Sequence, residues 1–298
     1  MTTPEPGAAG PTFRTLTPAD IPAAQRLREL ARWNQTDRDW AHLLAFEPAG
    51  CFAAEVEGRV VGTATTTRYE PAAGPGSFGW IGMVLVDPNI RRMGIGSSLL
   101  KKCIAYLDGC GVETVRLDAT PMGKKVYDQL GFADEYELER WEGLAQGAAP
   151  SAGGFAFKPL EPGDLDAVAA FDLPAFGAGR RRILEAWRAD WPELAVAAWQ
   201  GARLAGYALA RRGMNFHQLG PVVAADPVLA EGLLRELLGK LAGQAVVVDF
   251  VTANAWVKPI LERSGLKHQR PFIRMARGPN RSPGRRDGVL AICCPELG

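Results

Sequence analysis

Six consecutive residues, Arg91-Arg92-Met93-Gly94-Ile95-Gly96, have the composition of an anion-binding loop. Gly94 and Gly96 lack a Cβ, so a phosphate can approach their amides closely. The loop stands where an apolar run, Gly79–Val86, gives way to an amphipathic stretch. A helix beginning there offers unpaired N–H donors and the positive end of its dipole. Arg91 and Arg92 add charge. The chemistry is that of a pyrophosphate cradle, although a tight strand-to-helix turn would use the same glycines. No Gly-Lys-Ser/Thr follows, which argues against a P-loop NTPase, and the three-glycine dinucleotide fingerprint is missing.

The elements that must position this loop can be read around it. From about Gly94 to Asp108, the residues Ile95, Leu99, Leu100, Cys103, Ile104 and Leu107 recur at helical spacing and predict one buried face. Before the loop, the pattern predicts a strand near Thr12–Leu16, a helix over Pro18–Ala31 and a helical piece around Asp37–Ala45. Strands Cys51–Val56 and Val60–Tyr69 follow, joined at Glu57-Gly58, and then the interior strand Gly79–Val86. After it come a strand over Val112–Asp118, a helix over Gly123–Leu130 and a strand over Ala133–Trp141. The expected fold class is α/β, a mixed sheet with helices on both faces.

The chain also repeats itself. Leu16-Thr17-Pro18-Ala19-Asp20-Ile21 returns as Leu160-Glu161-Pro162-Gly163-Asp164-Leu165, each a helix start with Pro and an acid in its first turn. Gly58-Arg59-Val60-Val61-Gly62 is echoed by Ala202-Arg203-Leu204-Ala205-Gly206. Val86-Asp87-Pro88 is echoed by Ala225-Asp226-Pro227, and Leu130-Gly131-Phe132 by Ser264-Gly265-Leu266. Four echoes in one order predict two copies of one fold, over 12–143 and 155–298. A small-residue linker at 144–154 separates them and a disordered leader at 1–11 precedes them. The second copy has no Arg-x-x-Gly-x-Gly in its loop Gly220–Ala230, and Leu261 stands four residues before Gly265, so the cradle argument fails there. Gly288–Cys294 predicts a last strand, placing Cys293 and Cys294 on opposite faces.

Composition narrows the classes of function. In 298 residues, 34 basic and 33 acidic side chains leave a net charge of +1, so no global field favours nucleic acid or an anionic membrane. Five cysteines, in no metal-binding spacing, suit a reducing compartment better than a disulfide framework. The N-terminus lacks the basic start and apolar stretch of a signal peptide, and no apolar run approaches the ~20 residues of a membrane helix. A cytoplasmic protein with a small or mildly charged partner is expected.

Val84-Leu85-Val86-Asp87-Pro88, the Arg-x-x-Gly-x-Gly loop and Tyr127-Asp128-Gln129-Leu130-Gly131-Phe132 together resemble the GNAT (GCN5-related N-acetyltransferase) family over roughly Thr12–Trp141. The second copy is similar to the same fold more faintly, as in bacterial tandem-GNAT proteins with a divergent C-terminal domain. The resemblance implies an N-acetyltransferase that uses acetyl-CoA and an amine of a small molecule or peptide, reacting directly in a ternary complex. It implies that Val84, Leu85 and Val86 pair with the pantetheine arm, and that the amides of Arg92, Met93, Gly94, Ile95, Gly96 and Ser97, beside Arg91, hold the pyrophosphate. Tyr127 falls at the family's position for the acid that protonates the departing thiolate; a phenol's ordinary pKa suits that task. A core aromatic is the alternative. Asp118 is the candidate base, or else a turn cap. Thr120 stands where many relatives carry a cofactor-seating Asn. The segment Trp33–Trp40, with Trp33, Asp37 and Trp40, would rim a site for a cationic or amphipathic amine, or simply pack and cap. An acyl-CoA-binding sensor without catalysis is the competing reading.

Overall fold

A computed structural model describes residues 10–71, 77–90, 93–147 and 155–298. Most of the expected leader 1–11, both arginines of the loop (Arg91 and Arg92) and residues 148–154 of the expected linker lie outside the described residues.

The first repeat contains β1 (Thr12–Thr15), α1 (Ile21–Leu30), α2 (Asp37–Phe46), β2 (Phe52–Val56), β3 (Arg59–Pro71), β4 (Phe78–Val86), α3 (Ile95–Gly109), β5 (Thr114–Ala119), α4 (Pro121–Asp128) and β6 (Ala133–Leu144). The second runs through β7 (Ala156–Pro159), α5 (Leu165–Phe176), β8 (Ala178–Gly179), α6 (Arg181–Asp190), β9 (Ala195–Gln200), β10 (Arg203–Arg212), β11 (His217–Ala224), α7 (Pro227–Lys240), β12 (Ala245–Val251), α8 (Lys258–Arg263), β13 (Leu266–Arg277) and β14 (Val289–Ala291). Apart from the two-residue β8 and the closing β14, the second order reproduces the first. The sequence echoes therefore mark a repeat of whole elements.

The chain packs into two compact units whose limits differ from those of the repeats. One holds residues up to Arg68 together with Ile81–Gly111; the other holds Tyr69–Trp80 with Val112–Gly298. In the first unit, β1, β2 and β3 pair antiparallel. Helix α3 buries Ile95, Leu99, Leu100, Cys103 and Leu107, the stripe expected from spacing, and packs against β2. Each such side chain contributes about 1.5–3 kcal/mol on leaving water. Thr36 caps α2 by accepting from the Asp39 amide, while Asp39 accepts from the Thr36 amide in return.

Thr17 and Asp20 form the corresponding box before α1. Arg14 grips Asp20 through two bonds of 2.7 Å, which with the Thr17 bonds outweigh partial burial and hold its carboxyl down at about 2. A carboxyl depressed in the folded chain stabilises it above the ordinary carboxylate pKa and loses that contribution as pH falls towards 2. We expect an NMR titration of Asp20 to show a midpoint near 2, returning towards the ordinary 3.8 in Arg14→Ala. A midpoint unmoved by the substitution would refute the pairing.

In the second unit the strand order is β5-β13-β6-β12-β14-β11-β10-β9-β7. Strand β13 lies antiparallel between β5 and β6, and β6 lies antiparallel between β13 and β12. Each repeat thus places its long late strand between two strands of the other. Close approach at this seam depends on glycine: a Cβ on Gly143 would lie 2.3 Å from the Gly265 carbonyl oxygen. Strands β11 and β12 pair in parallel only over His217–Leu219 and Val246–Val248. Beyond that stretch β14 enters between them, Ala291 pairing with both Val222 and Phe250. Gly220 is required beside it, since a Cβ there would meet the Ile292 oxygen at 1.9 Å. The last strand is shorter than expected. It ends at Ala291, and Cys293 and Cys294 follow it, both buried, so strand alternation does not place them on opposite faces.

Residues 144–147 of the expected linker are ordered against the second repeat. Leu144 ends β6, Ala145 N–H donates to the Gln244 carbonyl and Gln146 N–H to that of Ser264. Among the described residues no helix is long and apolar enough to cross a membrane.

Candidate active site

The cradle is built on the turn from β4 to α3. Asp87, just past β4, is the anchor. Its carboxylate accepts from Arg26 Nη1 at 2.7 Å and from the Asn89 amide at 3.0 Å, and its own amide donates to the Val61 carbonyl. The Arg26 bond, ahead of burial, holds the Asp87 carboxyl below the usual range. Gly94 then caps α3 with φ of +70°, a left-handed conformation that glycine adopts without strain. The Ser98 amide donates to the Gly94 carbonyl, and the amides of Ile95, Gly96 and Ser97 before it have no acceptor among the described residues, as is common for first-turn amides. Apart from its chain neighbours, nothing among the described residues lies within 4 Å of a Cβ placed on Gly94, and for Gly96 the nearest such atom is Val86 Cγ2 at 3.6 Å. Packing does not demand glycine at 96.

Strand β4 carries a distortion beside this turn. Met83 has φ of +50° and is buried, a costly conformation for a long side chain. Thr63 Oγ1 donates to the Met83 carbonyl at 2.9 Å. Leu85 is buried, whereas Val84 and Val86 are half-buried. Gly62 lets β3 approach: a Cβ there would sit 3.1 Å from the Leu85 oxygen and from two α3 side chains. Sequence reasoning missed Thr63, Gly62 and Arg26. The threonine-rich run Thr63-Ala64-Thr65-Thr66-Thr67, which is buried throughout, was the signal that could have exposed the first.

In the second unit, Tyr127 lies on α4. Its ring packs edge-on to Phe132 at 6.1 Å, and burial alone pushes its phenol up to about 12. Gly123, one turn earlier, leaves the ring its space; a Cβ there would stand 3.0 Å from the ring and 3.5 Å from the hydroxyl. Thr120 is the N-cap of α4, its Oγ1 accepting from the Gly123 amide at 3.3 Å.

An Acetyltransferase (GNAT) family model matches residues 20–132, and an Acetyltransferase (GNAT) domain model matches 168–291. The chain carries two GNAT domains in tandem.

Relatives of these GNAT domains include the uncharacterized N-acetyltransferase YitH of Bacillus subtilis, 27% identical over 54% of this chain and 56% of the relative. A mycothiol acetyltransferase of Acidimicrobium ferrooxidans is 32% identical over 43% of this chain and 45% of its own length. The matched region thus spans about half the length of these curated relatives. Among solved structures, a candidate acetyltransferase from Pyrococcus horikoshii aligns over 100% of this chain and 99% of its own, with a TM-score of 0.80 at 23% identity. A tandem GNAT protein from the clavulanic acid biosynthesis pathway covers 90% of this chain and 98% of its own, with a TM-score of 0.61 at 16% identity. At such identities the likeness is one of fold.

The matching helix start in the second GNAT domain is capped differently. Helix α7 starts directly at Pro227, and the Asp226 carboxylate caps it by accepting from the Leu229 amide at 2.9 Å. A carboxylate on the first-turn amides occupies the donors that a phosphate would need and repels it. Leu261, at the position matching Tyr127, is fully buried and has no proton to give.

Two sequence-based assignments need correction. Asp118 is not placed as a base: its side chain is fully buried, and Arg274 binds both its oxygens, Nε at 2.8 Å and Nη2 at 2.9 Å. With both oxygens engaged and no water access, it holds an ion pair across β5 and β13. Trp40 does not rim a site either. It is completely buried in α2, with its indole N–H lacking an acceptor among the described residues. Trp33 is half-buried, and Asp37 is exposed in the first turn of α2, as a helix-start acid should be.

Proposed function

We propose that the chain is an acetyl-CoA-dependent N-acetyltransferase, acting on an amine of a small molecule or peptide through its first GNAT domain. The observation that carries this reading is the start of α3: first-turn amides from Ile95 to Ser97 without an acceptor among the described residues, a left-handed Gly94, and a Gly96 that no packing among those residues requires. That donor set fits a diphosphate. In this reading those amides, with Met93, hold the pyrophosphate, and Val84–Val86 offer main-chain groups to the pantetheine arm. Bound acetyl-CoA supplies the activated acyl group.

Tyr127 is assigned as the acid for the leaving thiolate. At a pKa of about 12 it keeps its proton throughout the neutral range, as a donor must. Asp118 is assigned to the Arg274 ion pair and Thr120 to capping α4. The amine enters through a direct ternary complex, with no covalent enzyme intermediate, in a cytoplasmic setting.

The test uses Gly96→Ala. A methyl group there has room, so the melting temperature should stay within about 1–2 °C of the parent, as for surface substitutions of small effect. Affinity for CoA should fall about tenfold or more, read by calorimetry, because the methyl intrudes where the phosphate approaches. Equal CoA affinity would remove the cradle. A free-thiol assay over an amine panel separates an enzyme from a sensor, since a sensor binds CoA and releases none from acetyl-CoA.

A further inference from the structure

Three segments of the first unit meet at the buried carboxylate of Asp87. Arg26, far away in sequence on α1, donates to it through Nη1 at 2.7 Å. The other terminal nitrogen of Arg26, Nη2, donates at 3.1 Å to the Val60 carbonyl of β3. The Asp87 amide donates to the next β3 carbonyl, that of Val61, and the second carboxylate oxygen receives the Asn89 amide. One guanidinium thus ties α1 both to β3 and to the residue that follows β4. The ion pair is neutral as a whole, so Arg26 offers a phosphate little net charge.

The chain on either side of this knot lies against the start of α3. Val86, next to Asp87, comes within 3.6 Å of a Cβ placed on Gly96. Gly62, next to Val61, lies beneath the first turns of the helix: a Cβ there would meet Ile95 Cγ2 and Leu99 Cδ1, both at 3.1 Å. The same Cβ would stand 3.1 Å from the Leu85 oxygen of β4, so β3, β4 and α3 close on one another at Gly62. Ile95 and Leu99 are buried, and a close-packed interior passes a displacement on instead of absorbing it. Past Val86 the strand has ended, so the Arg26 bonds help to hold what the sheet ladder no longer does. Binding groups need such support, to within about 0.5 Å.

We propose that Arg26 is a positioning residue for the diphosphate: it fixes Asp87 against β3 and, through Val86 and Gly62, the first-turn amides of α3, without touching the ligand. The inference rests on the acetyl-CoA reading. It adds to that reading a residue on a helix that carries no part of the cradle.

The test is a double-mutant cycle read by CoA calorimetry on the full-length chain: the parent, Arg26→Met, Gly96→Ala and the two combined. Methionine keeps an unbranched stem and removes the donors. Arg26→Met should bind CoA about tenfold more weakly, within the range that residues remote from a ligand exert on its site. In the Gly96→Ala background the same change should cost less than about twofold, because two residues acting through one site do not add. Arg26→Lys, which keeps a donor for Asp87, should recover part of the loss, and it takes the place of Arg26→Met in the cycle if that variant does not fold. Urea unfolding fixes conditions under which every form is folded. A merely structural Arg26 would lower stability and leave CoA affinity alone. Parental CoA affinity in Arg26→Met, or losses that multiply in the combined variant, would overturn this inference and leave the acetyl-CoA reading standing. No CoA binding by the parent, or parental affinity in Gly96→Ala, would bring down the reading and the inference together.

Discussion

Tyr127→Phe is expected to lower kcat by about 10²-fold with CoA affinity and melting temperature unchanged, the lower end of what a positioned proton donor contributes. The substitution is mild in packing terms. It keeps the ring against Phe132 and the space left by Gly123, and the hydroxyl has no hydrogen-bond partner among the described residues. Loss confined to turnover would therefore report the proton and not the fold. The phenol's position at about 12 gives a second signature. Between pH 6 and 10 it stays protonated, so any alkaline limb of the rate profile in that window must belong to another group and persist in the variant. Unchanged turnover at every pH would take Tyr127 out of the mechanism.

The second large effect concerns Asp118 and is one of stability. Asp118→Ala leaves the Arg274 guanidinium buried without its carboxylate, and breaking a buried pair from one side costs about 3–5 kcal/mol. The guanidinium also stacks on Trp80 at 4.5 Å and donates to Tyr136, so it cannot swing out to water without dismantling its surroundings. Urea unfolding should show a loss of this size, and Asp118→Asn, which keeps one acceptor, a smaller one. Measured below its unfolding transition, the Asp118→Asn variant should retain kcat to within a few fold. Parental stability with turnover reduced 10²-fold would restore Asp118 as the base.

What could be read in advance was local. The α3 stripe and the helix start at Pro18 with its first-turn acid depend on residues within one or two helical turns, so spacing alone exposes them. The order of elements was equally legible because each carries its own period. Partners distant in sequence were not. Asp118 reads as a base or a turn cap at a strand end until Arg274, in the other repeat, reaches it from the neighbouring β13. Trp40 reads as a rim residue because an indole fits a rim or a core equally well, and only packing decides. Asp226 was visible as an echo of Asp87, yet nothing local shows that one caps its helix while the other turns to Arg26.

The interleaving of β6 and β13 means that the two repeats are not separable parts. A protease nick between residues 147 and 155 would leave both fragments held by three ladders of main-chain bonds, so they should co-elute until denatured. Expressed from separate genes, the halves would each present bare strand edges and find stability only in one another.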